Sequence, residues 1–263
     1  MICTRELTDG QWAVLEPLFA PPSGRPDRRG RPWADTRAVL NGVLFILRTG
    51  APWRDLPDCY PSRSTCHRRF QQWVRQGLFQ RLLEEFASTL LEGGLLDLSE
   101  CYIDGTFAPA KRGGLQVGKT KRGKGSKLMA VADGEGLPLA VLISSATPHE
   151  VTLVQSTLEA RFVEERPTRL IGDKAYDSDQ LDTELAAQGI EVIAPHRQNR
   201  VHKTQDGRRL RRYKKRWRVE RLFAWLHGFR RLVVRWEVRA ENWLGFVQLG
   251  CVLILLRRCL ENA

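Results

Sequence analysis

Apolar residues recur at helical spacing through the first third of the chain. In residues 8–19 Trp12, Leu15 and Phe19 share a face, and Thr8 stands at the start as a capping residue. Val39, Val43, Leu44 and Leu47 do the same in 34–48, which Gly50 ends. In 62–77 Ser62 caps the start, Gly77 closes the end, and Phe70, Trp73 and Val74 face inward. Residues 78–91 make one more helix. After Gly93 and Gly94 the period changes. Residues 100–108, 127–133 and 137–144 read as strands, with Asp133-Gly-Glu-Gly136 as a hairpin signal between the last two. A helix over 150–163, a strand over 169–172, a helix over 178–188 and a strand over 190–194 follow. Helices over 210–229 and 241–260 close the pattern. The expected organisation is an all-helical module over 1–95 and a mixed α/β domain over 96–263, its strands first a meander and then alternating with helices.

The 263 residues suffice for one large or two small domains with a real core. The most apolar run, 244–256, spans 13 residues and contains Gln248, which suits a buried helix better than a membrane span. No signal peptide is visible. Cys3, Cys59, Cys66, Cys101, Cys251 and Cys259 show neither a CxxC pair nor zinc spacing, so reduced thiols in a cytosolic protein are expected.

Charge changes the picture. The net charge is +12, and it is clustered. Residues 197–239 hold 16 Lys and Arg against Asp206, Glu220 and Glu237, a local +13. Residues 111–127 hold seven Lys and Arg, five Gly and no acid. Clustered cation of this size points to a polyanion, most often nucleic acid, with acidic lipid the other candidate. The Gly-rich stretch lacks a GxxxxGK[ST] pattern and is expected to be a flexible loop tracking a DNA strand through Lys119, Lys121, Arg122 and Lys124. The outer side of the helix at 62–77 carries Arg63, Ser64, His67, Arg68, Gln71 and Gln72, types that suit base edges and phosphates. With the helix at 34–48 it reads as a helix-turn-helix-like pair. A plain bundle with a solvated face is the alternative.

Three carboxylates stand out. Asp104 lies inside an apolar strand, and Asp173 follows Leu170-Ile-Gly at the end of another. Such acids are costly unless paired or bound to metal. Glu220 is a lone acid among cations in 210–229; at helical spacing Tyr213, Arg216, Glu220 and His227 lie on or near one side. Gathered together, the three would suit two Mg²⁺ ions with positions open to phosphate oxygens. Each also has an ordinary reading: a turn residue before Gly105 for Asp104, an Asx-turn or cap for Asp173, and an Arg216–Glu220 salt bridge. Asp133, Asp177 and Asp179 fit turn and cap roles.

The segments LTDGQWAVLEPLF, GRPWADTRAVLNGVLFILRTGAPWRDLP, YIDGT, TKRGKGSKLMAVADGEGLPLAV, IGDKAYDS and RVERLFAWLHGFRRL, in this order along nearly the whole chain, resemble the DDE transposases of bacterial insertion sequences, most closely the IS5 family (IS4/IS5-like). The resemblance implies an RNase H-like mixed sheet flanked by helices, preceded by a helical DNA-binding module. It implies a catalytic triad of Asp104, Asp173 and Glu220 holding two Mg²⁺, for which Mn²⁺ may substitute. The family's signature of Tyr, Arg, Glu and Lys reads Tyr213, Arg216, Glu220 and His227 here. Tyr213 and Arg216 are then DNA or outer-sphere contacts, whereas His227 clamps phosphate less dependably at neutral pH. His149 sits where relatives carry a His plus acid after the third strand. It either touches the phosphate and supports the metals, or belongs to a helix start capped by Thr147 with Pro148 first.

The implied reaction is metal-dependent cleavage at terminal inverted repeats followed by transfer of the freed 3′-OH to target DNA, with no covalent enzyme intermediate. A homodimer or higher assembly on DNA is implied, in the bacterial cytoplasm at the nucleoid. A domesticated, non-catalytic repressor, another RNase H-like nuclease and an RNA-binding ribosomal-type protein share the electrostatic footprint. The carboxylates argue against the repressor, and eight Trp argue against the ribosomal type.

Overall fold

The computed structural model describes residues 6–19, 32–198, 200 and 210–262. Four helices open the chain: α1 (Asp9–Leu15), α2 (Thr36–Thr49), α3 (Arg63–Arg75) and α4 (Leu78–Glu92). The first three begin where a side chain takes up a free backbone N–H. Thr8 forms a capping box with Gln11, Asp35 accepts from Ala38 at 2.7 Å, and Ser62 accepts from Thr65 at 3.3 Å. Gly77, at φ 64°, makes the one-residue left-handed joint that turns α3 into α4. The link from α2 to α3 is not a bare turn. Its Trp53 packs on His67, Phe70 and Phe246, with ring centroids 4.8, 6.1 and 6.2 Å away.

Six strands form one sheet: β1 (Cys101–Pro109), β2 (Gly118–Thr120), β3 (Gly123–Ala132), β4 (Pro138–Ser145), β5 (Arg169–Ile171) and β6 (Glu191–Ile193). β3 pairs antiparallel with β1 on one side and with β2 and β4 on the other. Across β1 the sheet turns parallel, to β5 and then β6. Asp133 closes the β3–β4 hairpin by accepting N–H bonds from Glu135 and Leu137, the turn role expected of it. α5 (Val154–Glu159) lies on β3 and β4, and α6 (Asp179–Ala186) on β6. α7 (Trp217–His227) lies on β1 and β3, followed by α8 (Arg230–Val233) and α9 (Ala240–Leu260).

α9 ties the parts together. It packs on α3, α4, α7, α8 and β4, and Trp243, Phe246, Val247, Leu255 and Leu256 have no exposed surface. Phe246 stacks on Phe70 of α3 at 4.2 Å between centroids. With 21 residues and mean hydropathy 1.6 it is long and apolar enough to cross a membrane, yet 56 % of its most apolar window is buried inside the protein. The helix is apolar because it is enclosed.

Four local expectations are corrected. The helix expected over 150–163 is a 3-10 turn, Glu150–Leu153, followed by the short α5, because Phe162 donates to Leu139 of β4 and draws the chain back to the sheet. The helix expected over 210–229 is interrupted by a 3-10 turn, Arg212–Lys215, so that α7 starts after Arg216. Residues 111–127 are not a loose loop: they include β2 and the first turns of β3, and Arg235 grips them from beneath. Cys59, exposed in a turn, is disulfide-bonded, against the expectation of reduced thiols. Cys66, Cys101, Cys251 and Cys259 sit in helices or strands and are free, while Cys3 lies outside the described residues.

Truncating Phe246 to Ala opens a cavity shared by α3, the Trp53 turn and α9. The expected cost is about 3–5 kcal/mol, read as a lower urea midpoint. Loss of helical and sheet signals in one transition is the expected form, because the core is continuous from Leu7 to Leu256.

Candidate active site

The sheet sets the first two carboxylates. β1 presents Tyr102 and Asp104 toward one face, at the period of two that a strand imposes, and Glu100 stands directly before it. β1 and β5 are in parallel register through Tyr102 and Ile171. Two residues further along each chain stand Asp104 and Asp173. Asp104 stays on the strand, opposite Ala130 of β3. Asp173 has left the sheet and caps the turn Lys174–Tyr176, accepting from the Ala175 N–H at 2.7 Å. The cap reading of Asp173 holds, and it fixes the carboxylate at the strand end.

α7 brings the third. Glu100, directly before β1, and Asp104 within it meet two cations four apart just ahead of the helix. Arg212 pairs with Glu100, and Arg216 Nη1 lies 2.6 Å from Asp104 Oδ2. The other arm of Arg216 holds Glu220, which is half exposed in the first turn of α7. The i,i+4 salt bridge is therefore real, and it extends to Asp104: one guanidinium joins the β1 carboxylate to the α7 carboxylate. The Arg216 guanidinium lies 5.9 Å from the centre of the Tyr213 ring. Burial works to lower the Arg216 pKa, but Asp104 and then Glu220 outweigh it and hold it above the ordinary value.

A fourth carboxylate enters from the 3-10 turn after β4. Glu150 accepts from the Tyr176 hydroxyl at 3.1 Å and lies 3.6 Å from Lys127 Nζ. It rests directly on Gly105. A Cβ there would come within 2.9 Å of the Glu150 carboxyl carbon and 2.8 Å of Met129 Sδ, so only glycine leaves room. Gly172 does the same for the Tyr176 ring, where a Cβ would meet a ring carbon at 2.5 Å. The two glycines that precede or follow the strand aspartates thus serve the packing of Glu150 and Tyr176. Sequence reasoning had passed over Glu150 as a site residue; its signal was an acid directly after His149 beside a strand glycine.

These groups feel one another. Burial pushes the Asp104 carboxyl up to about 6; the Gly105 N–H and Arg216 pull it back, while Glu150 and Asp173 push it further. The Tyr176 hydroxyl is raised by burial first, then by Glu150, Asp104 and Asp173. Among the described residues no group of three or more His, Cys, Asp or Glu is close enough to hold a metal ion as the side chains stand. The donor chemistry nevertheless fits a hard divalent cation: every acid is an oxygen donor, and the charge they demand is supplied by Arg216 and Lys127.

A family model described as Transposase DDE domain matches residues 97–255, and one described as a transposase of IS4/5 family matches residues 7–83. The chain belongs to the DDE transposases of the IS4/5 group. It is 38 % identical over 138 residues to a proposed transposase for insertion sequence element IS402 of Burkholderia cepacia, covering 49 % of this chain and 62 % of that one. It is 30 % identical over 132 residues to a proposed transposase for element IS6501 of Brucella ovis, covering 50 % of this chain and 98 % of that one. A piggyBac transposase, solved as a synaptic complex with hairpin DNA, superposes with a TM-score of 0.52 at 12 % identity, over 94 % of this chain and 70 % of that one. That likeness speaks for the fold. The protein is a DNA transposase, a divalent-metal-dependent enzyme of DNA cleavage and strand transfer.

The transposase places its other expected site residues unevenly. On α3 Arg63, Ser64 and Arg68 are exposed, and Gln71 and Gln72 are half-buried. His67 is drawn inward against Trp53, and burial lowers its pKa, so a neutral ring packs there at pH 7. Arg69, which was not singled out, is buried between the Trp33 and Trp73 rings, 5.3 Å from each centre. Lys119, Lys121, Arg122 and Lys124 are all exposed on the β2–β3 hairpin. His149 is exposed and precedes the turn with no side-chain cap, so the Thr147-capped helix start does not form. His227 stacks on Phe223 at 6.5 Å, and desolvation lowers its pKa, which leaves it without charge at neutral pH.

Two consequences of this geometry are measurable. A carboxyl whose folded pKa lies above its unfolded value binds more protons in the native state, so stability falls as pH rises between the two values. For Asp104 that window runs from the ordinary carboxyl value of 3.8 to about 6. In EDTA, the stability of Asp104→Asn relative to wild type should therefore rise from pH 4 to pH 6 and level off above, by urea titration. A difference independent of pH would mean that Asp104 is freely solvated. Gly105→Ala should displace Glu150 and reduce metal-dependent DNA cleavage on the order of 100-fold with an unchanged circular dichroism spectrum.

Proposed function

We propose that this transposase cuts at the terminal inverted repeats of its own insertion sequence and joins the freed ends to target DNA, with Asp104, Asp173 and Glu220 as the metal-holding triad. The observation that carries the assignment is the bridge from Asp104 through Arg216 to Glu220, beside Asp173 in the turn that follows the parallel strand β5. A guanidinium held by two acids is what a cationic ligand of that pocket would replace.

Two Mg²⁺ ions, or Mn²⁺ in their place, would supply an activated water and stabilise the leaving 3′-oxygen. The protein's own groups do the rest. Asp104 stands on β1 and Asp173 in the capped turn directly after β5, so the paired strands set where both carboxylates lie. Glu220 reaches in from a helix fastened to β1 by the Arg212–Glu100 pair. Arg216, displaced from the acids, and Tyr213 contact the phosphates next to the cut. Tyr176 and Lys127 hold Glu150 against Gly105, which keeps a negative wall around the site. His149, at the mouth, is an outer contact, and neutral His227 is a hydrogen-bonding partner at most.

Residues 1–95 serve as the end-reading module. Arg63, Ser64 and Arg68 meet phosphates, Gln71 and Gln72 meet base edges, and His67 braces the helix from behind. Residues 96–263 form the catalytic domain. The enzyme works as a homodimer or larger assembly in the bacterial cytoplasm, since two ends must be joined.

The deciding experiment uses DNA from the ends of the protein's own genomic locus, with Mg²⁺ or Mn²⁺. Wild type should nick at the repeat end and join it to target, while Asp104→Asn, Asp173→Asn and Glu220→Gln bind the ends and do not cut. Tight binding without cutting by wild type would leave a repressor. Retained activity of Glu220→Gln alone would remove α7 from the triad.

A further inference from the structure

The tip of the segment between β1 and β2 displays a leucine. Leu115 is 80 % exposed, more than any other large apolar residue described. Its backbone is nevertheless fixed by buried side-chain hydrogen bonds. Arg235 has no exposed surface, and its guanidinium donates to the Leu115 carbonyl at 2.8 Å and to the Gln116 carbonyl at 3.1 Å. The same group donates to Ser126 Oγ at 2.6 Å and to the Val238 carbonyl at 3.2 Å. Ser126 Oγ donates in turn to the Gln116 carbonyl. The Gln116 side chain accepts from the Ser145 N–H of β4 at 3.0 Å. Gln116 is also the only described residue other than glycine with a positive φ, at 60°. Gly114 lies so close to the Val238 carbonyl that a Cβ would stand 2.1 Å from its oxygen.

A buried arginine, a strained glutamine and a close backbone crossing thus fix a side chain that touches little of its own protein. Rigid display of an apolar group is of use only toward an outside partner. The surroundings say which. Lys111, Arg112, Lys119, Lys121, Arg122 and Lys124 are exposed, and none forms an ion pair among the described residues. No acid occurs in 111–127. A second copy of a chain with net charge +12 would bring like charge to this place, whereas a duplex brings phosphates.

We propose that Leu115 is a wedge that enters a DNA duplex between neighbouring base pairs, with the hairpin cations seated on the phosphates to either side. Apolar side chains inserted at a base step unstack it and kink the duplex, at a cost offset by the added backbone contacts. The proposal rests on the reading that this enzyme binds duplex DNA. Pro109 lies five residues beyond Asp104 on β1, about 17 Å at the rise of a strand, so the wedged step is within reach of the duplex that occupies the active site.

The test uses the full chain and duplexes from the ends of its genomic locus, with 2-aminopurine placed singly at steps within about one helical turn of the cut and dyes at both termini. In Ca²⁺, wild type should raise 2-aminopurine fluorescence several-fold at one step and shorten the end-to-end distance. Leu115→Ala should abolish both while the slope of log affinity against log salt stays unchanged. Lys119→Gln with Lys121→Gln should lower that slope by about 1.8, or 0.9 per phosphate contact, and keep the fluorescence signal. Circular dichroism of each variant confirms the fold. The wedge is overturned if wild type cuts and joins in Mg²⁺ with every step silent, or if Leu115→Ala unstacks as wild type does. It is equally overturned if Leu115→Ala changes the sedimentation mass in the absence of DNA, which would make the tip a contact between copies. Wild type that binds no duplex removes both the wedge and the end-binding reading.

Discussion

Carboxylates crowded at one end of a sheet repel one another, and the architecture around them answers that repulsion. β1 and β5 run in parallel with Tyr102 opposite Ile171, so Asp104 within β1 and Asp173 just past the end of β5 stay within electrostatic reach of each other. Arg216 balances two of them at once, Lys127 faces a third, and the first turn of α7 adds the positive end of a helix. Remove the arginine and α7 loses one of its polar ties to β1 as well as its charge balance. The same residue therefore acts as a fastener of the fold and as a stand-in for the cations that the family's chemistry demands. Those two roles conflict when metal and DNA arrive. In the proposed mechanism, occupation of the site would release the guanidinium, and a phosphate would be its natural new partner.

The helices of the first third were legible because each obeys a local rule: an apolar stripe, a capping side chain, a terminal glycine. Thr8, Ser62, Gly50 and Gly77 all act where their chemistry placed them. β1 and the β3–β4 hairpin were legible for the same reason. Elements decided by distant partners were not. The stretch after His149 has helical spacing, yet its chain is drawn to Leu139 by a sheet bond that no local pattern announces. The break before Trp217 depends on Glu100 and Asp104, more than a hundred residues earlier.

For the site, spacing and type singled out Asp104, Asp173, Glu220 and Arg216, and the fold brings Arg216 against both Asp104 and Glu220. In the sequence Glu150 reads only as the acid beside His149 or as a first-turn residue of a helix start, and it escaped notice as a site residue; its packing against Gly105 is a tertiary fact. Arg235 escaped for the opposite reason. In a run of exposed cations nothing distinguishes the one that turns inward to bond five acceptors in place of water. Identity along a basic stretch tells how much charge is present, and only packing tells which charge is structural.

α9 has a consequence for how the enzyme is made. Phe70 and its partner Phe246 are separated by roughly 175 residues of chain. At typical synthesis rates the ribosome needs about 10–35 s to cover that distance. Throughout that interval α3 and α4 have no lid on their apolar face, and the acids of β1 await the helix that carries Arg216. Until α9 emerges, the apolar face it covers is open to water.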